Sequence, residues 1–230
     1  MRQWARVLAA FGIAVLGTAA AIAAGAPGAG ARHDPTALLL TGARVLDESG
    51  ERWVTGRDVL VAGGRIAAVG PAGTLSAPPP GAAGEVVRLD LSGLVLLPGL
   101  IDLHTHLLLH PYDETPWNDQ VLKEALELRT IRAVTAARAT LEAGFTTVRE
   151  LGTEGAGFAD VALRDAIAAG LVPGPRIFAA TRAIVAGGSY GPAGFDPRWE
   201  VPKGAQVADG ADGVRRAVRE QIAAGADWIK

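Results

Sequence analysis

Leu97-Pro98-Gly99-Leu100-Ile101-Asp102-Leu103-His104-Thr105-His106 is the stretch on which the fold turns. Val95 to Leu103 is a nearly continuous apolar run, the pattern of a parallel strand buried on both faces. It ends in His-Thr-His. Side chains alternate across a strand, so His104 and His106 point the same way. Two imidazoles on one face can enter the coordination sphere of a single metal ion. The competing reading is a pair of histidines hydrogen-bonded at a strand end with no metal. Asp102 is expected to take a structural hydrogen bond.

Upstream, residues 37–97 read as short strands. Ala37–Leu40 runs into Gly42–Asp47. Asp58–Val61 and Arg65–Val69 flank Gly63-Gly64, and two glycines between apolar runs predict a tight hairpin. Val86–Leu91 and Leu94–Leu97 add two strands separated by Ser92-Gly93. Pro78–Gly81 marks an exposed loop. This small β unit carries no obvious chemistry.

Downstream the period changes. A helix is expected over about Asn118–Ala143, with Leu128, Ile131, Val134 and Leu141 at helical spacing. Phe145–Val148 is a strand, Phe158–Ala169 a helix, and Arg176–Ala180 a strand. Gly213–Ala224 is a helix with Val214, Val218 and Ile222 on one face, and Asp227–Lys230 begins a fourth strand. This β-α-β order with glycine-ended helices predicts α/β architecture with parallel strands. The candidates are a closed (β/α)8 barrel and an open doubly wound sheet. No G-x-G-x-x-G follows the first strand, which disfavours dinucleotide binding. A barrel needs ~250 residues and about 135 follow the start of strand one, so half a barrel is expected.

Composition narrows the classes further. The 230 residues carry 22 basic and 24 acidic side chains, a net charge of -2, with no basic face, so nucleic acid is not an expected partner. The absence of cysteine excludes disulfides, thiolate ligands and a cysteine nucleophile. Arg2 and Arg6 precede an apolar, uncharged run from Val7 to Ala23, and Ala21-Ile22-Ala23 has the small-x-small form of a cleavage site. Residues 1–26 are therefore expected to be a signal peptide and 27–36 a linker. The protein is expected to be exported, periplasmic or secreted. The alternative is an uncleaved N-terminal membrane anchor.

The stretch Pro98–His106 resembles the strand-one signature P-G-[LF]-[IV]-D-x-H-x-H of the metal-dependent amidohydrolase superfamily. Gly42–Asp47 and Gly64–Gly70 are similar to that family's G-x-x-[VI]-x-D and G-x-I-x-x-[VI]-G stretches. Ala143–Gly152 resembles the A-G-[FV]-T-T-V-R-D-x-G strand two of its imidazolonepropionase and Xaa-Pro dipeptidase branch, with Glu150 in place of Asp. Gly225–Lys230 resembles the G-A-D-x-I-K of strand four. The resemblance covers about residues 38–230. It implies that 37–97 is the N-terminal part of a small β-sandwich, and that 98–230 is the first half of the barrel, ending in strand four.

The resemblance also implies a site. His104 and His106 would ligate the more buried metal, and Lys230, carboxylated by carbon dioxide, would bridge one or two divalent ions, zinc being expected. The family's remaining ligands and its proton-accepting aspartate come from strands five, six and eight. None of these strands is in this sequence, so no catalytic residue is assigned. His110, in the loop after strand one, is expected to be a solvated loop histidine that could also reach substrate. Tyr190 stands where the branch often carries histidine in a G-G-H-G loop, and is a second candidate substrate contact. Arg149 and Glu150 either line the mouth or form a structural ion pair.

Two functional classes remain in view. The first is a hydrolase of C–N bonds acting on a small amide, cyclic amide or dipeptide, with a homo-oligomer possible, and complete only with the second half of the barrel. The second is an inactive half-barrel that serves as an interaction module. Intact-mass measurement of the mature protein should find an N-terminus between about Ala24 and Pro27. A soluble cytoplasmic chain still beginning at Met1 would exclude export.

Overall fold

The computed structural model describes residues 13–16, 37–75 and 86–230. Most of the expected leader, the whole linker and the Pro78–Gly81 loop lie outside the described residues. The chain divides into two compact units, Met1–Leu100 and Ile101–Lys230.

The first unit is built on β2 (Ala37–Leu46), β3 (Trp53–Ala62), β4 (Arg65–Pro71), β5 (Val86–Asp90) and β6 (Val95–Pro98). A further short strand, β1 (Ile13–Leu16), lies antiparallel on β6. These four residues, which fall in the expected leader, thus pair with the sheet. The strand order is β1-β6-β2-β3-β4, with β5 parallel to β2. β2 is the hub. Leu38 and Leu40 pack with Val59, Val61, Leu91 and Leu96 on one face, while Ala37, Leu39 and Leu60 form a second cluster on the other. A strand covered on both faces must be apolar at successive positions, which is why Ala37–Leu40 does not alternate. The buried Asp58 accepts the amides of Gly42 (2.9 Å) and Gly73 (2.8 Å). Gly42 has φ 72, and a Cβ there would lie 2.5 Å from Ser92 Oγ.

The second unit holds a three-stranded sheet, β7 (Leu100–Thr105), β8 (Phe145–Glu150) and β9 (Arg176–Ala179), in the order β7-β8-β9 with β8 and β9 parallel. Helices α1 (Trp117–Leu122) and α2 (Leu126–Glu142) join β7 to β8, and α3 (Ala159–Ala168) joins β8 to β9. A two-residue parallel pair, β10 (Ile184–Val185) with β11 (Gln206–Val207), precedes α4 (Gly210–Ala223). This is a mixed α/β fold.

Five expectations are corrected. The apolar run Val95–Leu103 is not one buried strand. It divides after Pro98, which has no N–H to give a ladder, into β6 of one sheet and β7 of another, and Ile101 and Leu103 are exposed. The long helix is two. Ala125 is extended and Glu124 is drawn to the His110 ring instead of continuing the turn. The buried face of α2 is Arg129, Ala133 and Ala137, whereas Ile131 is 67% exposed. Alanines let the helix approach Val148 and Ile177 closely, a contact that the larger residues would hold open. In α4 the buried residues are Ala217 and Gln221, and Val214 and Ile222 are exposed. Finally, Asp227–Lys230 is not a regular strand. The amides of Asp227 and Trp228 converge on the single carbonyl of Ala179, and Lys230 O accepts only Ile184 N–H.

The loops leaving β7 and β8 are joined by Arg129, 2% exposed. Its Nε and Nη2 donate to Leu108 O (3.1 and 3.0 Å), Nη1 to Glu154 O (2.8 Å) and Nη2 to Thr153 O (2.9 Å). Removing it strands three buried carbonyls. Arg129→Met should therefore lower unfolding stability by more than about 3 kcal/mol in denaturant titration. Arg129→Lys should recover little, because an ammonium cannot span the fork. Near-native stability of either variant would show that these bonds are not the tie.

Candidate metal centre

β7 delivers His104 and His106 because its C-terminal end is fixed from two sides. Asp102 Oδ1 accepts the His104 amide (2.9 Å), the structural role expected of it. Thr105 O accepts Leu151 N–H (3.0 Å), which ties the end of β7 to the end of β8. The two imidazole centroids are then 5.3 Å apart at 62°.

His106 Nδ1 lies 2.8 Å from Gly152 O. A carbonyl only accepts, so Nδ1 carries the proton and the Nε2 lone pair is left to a ligand. Burial lowers the His106 pKa below 6.5, and the charges of Lys230 and His104 push the same way against the Gly152 bond and Glu154. The ring is thus neutral near neutrality. Its separations of 3.7 Å from Glu150 and 3.9 Å from Glu154 are contacts of a neutral ring and not ion pairs.

Glu150 ends β8 and is 1% exposed. Its Oε2 accepts Leu107 N–H at 2.5 Å, while Oε1 is buried with no partner among the described residues. Burial raises its pKa well above 4.5, opposed by the Leu107 bond and by the charge of Lys230. Arg149 and Glu150 do not pair with each other. Arg149 Nε donates to Leu103 O (2.7 Å) and its guanidinium lies over Trp228. Lys230 is exposed, and its charge is felt at both His106 and Glu150. The structure therefore brings His104, His106 and Lys230 to one end of the strands. Among the described residues, no group of three or more His, Asp or Glu side chains is placed to hold a metal by itself.

His110 is corrected. Its side chain is 12% exposed, with Nδ1 on Glu114 Oε2 (3.2 Å) and Nε2 on Glu124 Oε1 (2.9 Å). It is neither a solvated loop histidine nor free to meet a substrate, because both ring nitrogens are engaged. Tyr190 is partly exposed, and its hydroxyl donates to Glu154 Oε2 at 2.5 Å.

Glu154 is the residue that sequence reasoning passed over. It is 3% exposed and sits at φ 50, in the left-handed region, in the loop after β8. Thr181, after β9, has φ 58 and is a β-branched residue in the same region. Thr153 N–H donates to Thr181 O (2.8 Å), and Thr181 N–H to Asp160 Oδ2 (2.7 Å). Two strained non-glycine residues at the same ends of neighbouring strands mark a functional region. The only sequence sign was a glutamate set among glycines in Gly152-Thr153-Glu154-Gly155.

Parallel strands whose C-terminal ends gather imidazoles, a lysine and buried carboxylates define an α/β protein of the ligand-at-strand-ends class. The chain belongs to the amidohydrolase family, which matches residues 95–230. Members of this family generally use divalent metals. Among solved structures, the chain is similar to an amidohydrolase (33% identity, TM-score 0.68), to a prolidase complexed with N-methylphosphonate-L-proline (32%, 0.67) and to a Xaa-Pro dipeptidase with bound methionine in its active site (30%, 0.65). Each likeness covers 84% of this chain and 46% of the other. A 79-residue stretch is 43% identical to an adenine deaminase of Rhizobium johnstonii, covering 34% of this chain and 12% of that protein. Another of 71 residues is 42% identical to a dihydroorotase of Syntrophus aciditrophicus, covering 30% and 15%. The chain thus spans about half the length of the solved relatives.

Glu150 offers a test of this electrostatic arrangement. A carboxyl whose folded pKa is raised contributes stability that is fully present below its unfolded value near 4.5 and is lost as pH rises through the folded value. Glu150→Gln removes that dependence. In metal-free protein, the melting-temperature difference of Glu150→Gln from wild type should become more positive from pH 5 to pH 8. A difference that stays flat with pH would mean that Glu150 is not destabilised by ionisation.

Proposed function

We propose that the protein is a metal-dependent amidohydrolase that hydrolyses a C–N bond of a small amide, cyclic amide or dipeptide. The observation that carries this reading is the His104/His106 pair at the end of β7, with His106 Nδ1 spent on Gly152 O and its Nε2 lone pair free. The donor set fits a divalent ion. It offers two adjacent imidazoles, one of them held neutral by burial with its Nε2 lone pair free. Neutral imidazole suits zinc.

In this reading His104 and His106 hold the ion. Lys230, once carboxylated by carbon dioxide, would add two further oxygens to that donor set. A bound divalent ion supplies Lewis acidity to a water and to the scissile carbonyl. The chain's own residues do the positioning. Gly152 O fixes the His106 tautomer, Asp102 sets the His104 backbone, and Glu150 holds Leu107 N–H so that the chain leaves β7 at a fixed angle. The proton acceptor belongs to the rest of the barrel, of which residues 98–230 are the first half, with 37–97 part of a β-sandwich. The named relatives support the chemistry: adenine deaminase, dihydroorotase and prolidase all act on C–N bonds. The leader pattern supports an exported enzyme.

The test is zinc per chain, by plasma mass spectrometry, together with turnover in the full-length protein. His104→Ala and His106→Ala should each reduce zinc affinity and turnover by at least about 100-fold with the fold retained. Lys230→Ala should do likewise, with partial recovery on adding a short carboxylic acid in place of the carbamate. His110→Ala should be milder, because that ring serves Glu114 and Glu124. Full zinc content and full activity in His104→Ala would defeat the assignment.

A further inference from the structure

Trp117 and Tyr190 come from different loops, one at the start of α1 and the other after β10. Their rings nonetheless meet edge to face, with centroids 5.4 Å apart at 72°. Aromatic rings attract each other in this geometry, but exposed loops do not hold it unaided. What holds it is one carboxylate oxygen. Glu154 Oε2 accepts both Trp117 Nε1–H (3.1 Å) and Tyr190 O–H (2.5 Å). The other oxygen, Oε1, lies 3.9 Å from His106 Nδ1.

The surroundings reinforce the clamp. Glu154 is kept at φ 50 by Arg129, which holds its carbonyl. Gly204 lies against Trp117, and a Cβ there would be 3.2 Å from Trp117 Cζ2. Asn118 Nδ2 ties α1 to Ala193 O at 3.0 Å, a second bond between the same two segments. Burial and the Glu154 carboxylate raise the Tyr190 pKa, so the phenol stays protonated and donates. Tyr190 nonetheless keeps 39% of its surface open.

We infer that Glu154 is a positioning residue that locks Trp117 and Tyr190 into the wall of a substrate subsite beside His106, and that this wall receives a flat or ring-shaped apolar group next to the scissile amide. The inference rests on the amidohydrolase reading above. Rigid aromatic surface favours such a group, because rings stack or meet edge-on at little entropic cost. A substrate lacking the ring gains nothing from the wall.

The experiment uses full-length, zinc-loaded protein and two probes with the same amide bond, N-acetyl-L-phenylalanine and N-acetylglycine. Wild type, Glu154→Gln, Glu154→Ala and Tyr190→Phe are compared by steady-state kinetics, zinc content and calorimetric binding. Glu154→Ala and Tyr190→Phe should raise KM for N-acetyl-L-phenylalanine about tenfold, the effect of one lost aromatic or hydrogen-bond contact. The loss should fall on KM more than on kcat, KM for N-acetylglycine should rise less, and Tyr190→Phe should keep its zinc. Glu154→Gln keeps an acceptor oxygen and should recover most of the loss. Equal changes with both probes, or zinc loss in Tyr190→Phe, would reduce the clamp to a structural tie and overturn the subsite. If Glu154→Ala does not fold, Tyr190→Phe decides, since it keeps the carboxylate and the ring. If wild type cleaves neither probe, the hydrolase reading is judged by its own zinc and turnover test, and calorimetry decides the subsite. Weaker N-acetyl-L-phenylalanine binding in Tyr190→Phe then supports it, and equal or undetectable binding overturns it.

Discussion

Buried backbone carbonyls at the ends of β7 and β8 need donors, and the second unit is organised around meeting that need. Arg129 supplies three of them from one guanidinium. The fork is planar and always charged, so it can sit dry only where several oxygens are arranged to meet it. This fixes where α2 lies against β8, and it explains why α2 buries arginine and alanine instead of leucine. With α2 in place, the loops carrying Leu108, Thr153 and Glu154 have little freedom. His106 then meets Gly152 O, because that loop cannot drift away from the end of β7.

The same economy governs the acidic side chains. Glu150, Glu154 and Asp160 are all buried within this unit, and each is used to hold a backbone amide or a side-chain donor. Burial raises the pKa of Glu150 and Asp160, and hydrogen bonds work against that rise. The exception is Glu150 Oε1, which has no partner among the described residues. An unpartnered buried oxygen 3.7 Å from the His106 ring is a costly feature for stability alone. The aspartate of Gly-Ala-Asp, Asp227, has a different task. It accepts Ala179 N–H and Arg164, so it anchors the segment that delivers Lys230.

Some of this was legible in the chain as written. The His-Thr-His ending on a strand, the β-α-β order and the glycine after each helix follow from local rules: a two-residue strand period, a 3.6-residue helix period, and the left-handed freedom of glycine. The placing of His104 and His106 on one strand end needs no knowledge of the rest. Which face of α2 turns inward did not follow. Leu128 and Ile131 have the better hydrophobic spacing, but the tightest approach to the sheet belongs to Ala133 and Ala137, and that choice depends on the shape of the facing strand. The loop residues were equally opaque. His110 looked solvated because its neighbours in sequence are polar, yet Glu124, fourteen positions on, closes over it.

Sequence by itself determined the family, the α/β class and the imidazole pair, because each is a local pattern repeated at short spacing. Tertiary structure alone decided the tautomer of His106, the orphaned oxygen of Glu150 and the clamp of Glu154 on Trp117 and Tyr190. Those depend on atoms brought together from 36 to 46 residues apart, and no local rule links Glu154 to Tyr190 until the strands are paired. Long-range contacts form only once the loop ends are closed by the sheet and helices between them. The chemistry of the site therefore rests on residues whose roles the fold assigns.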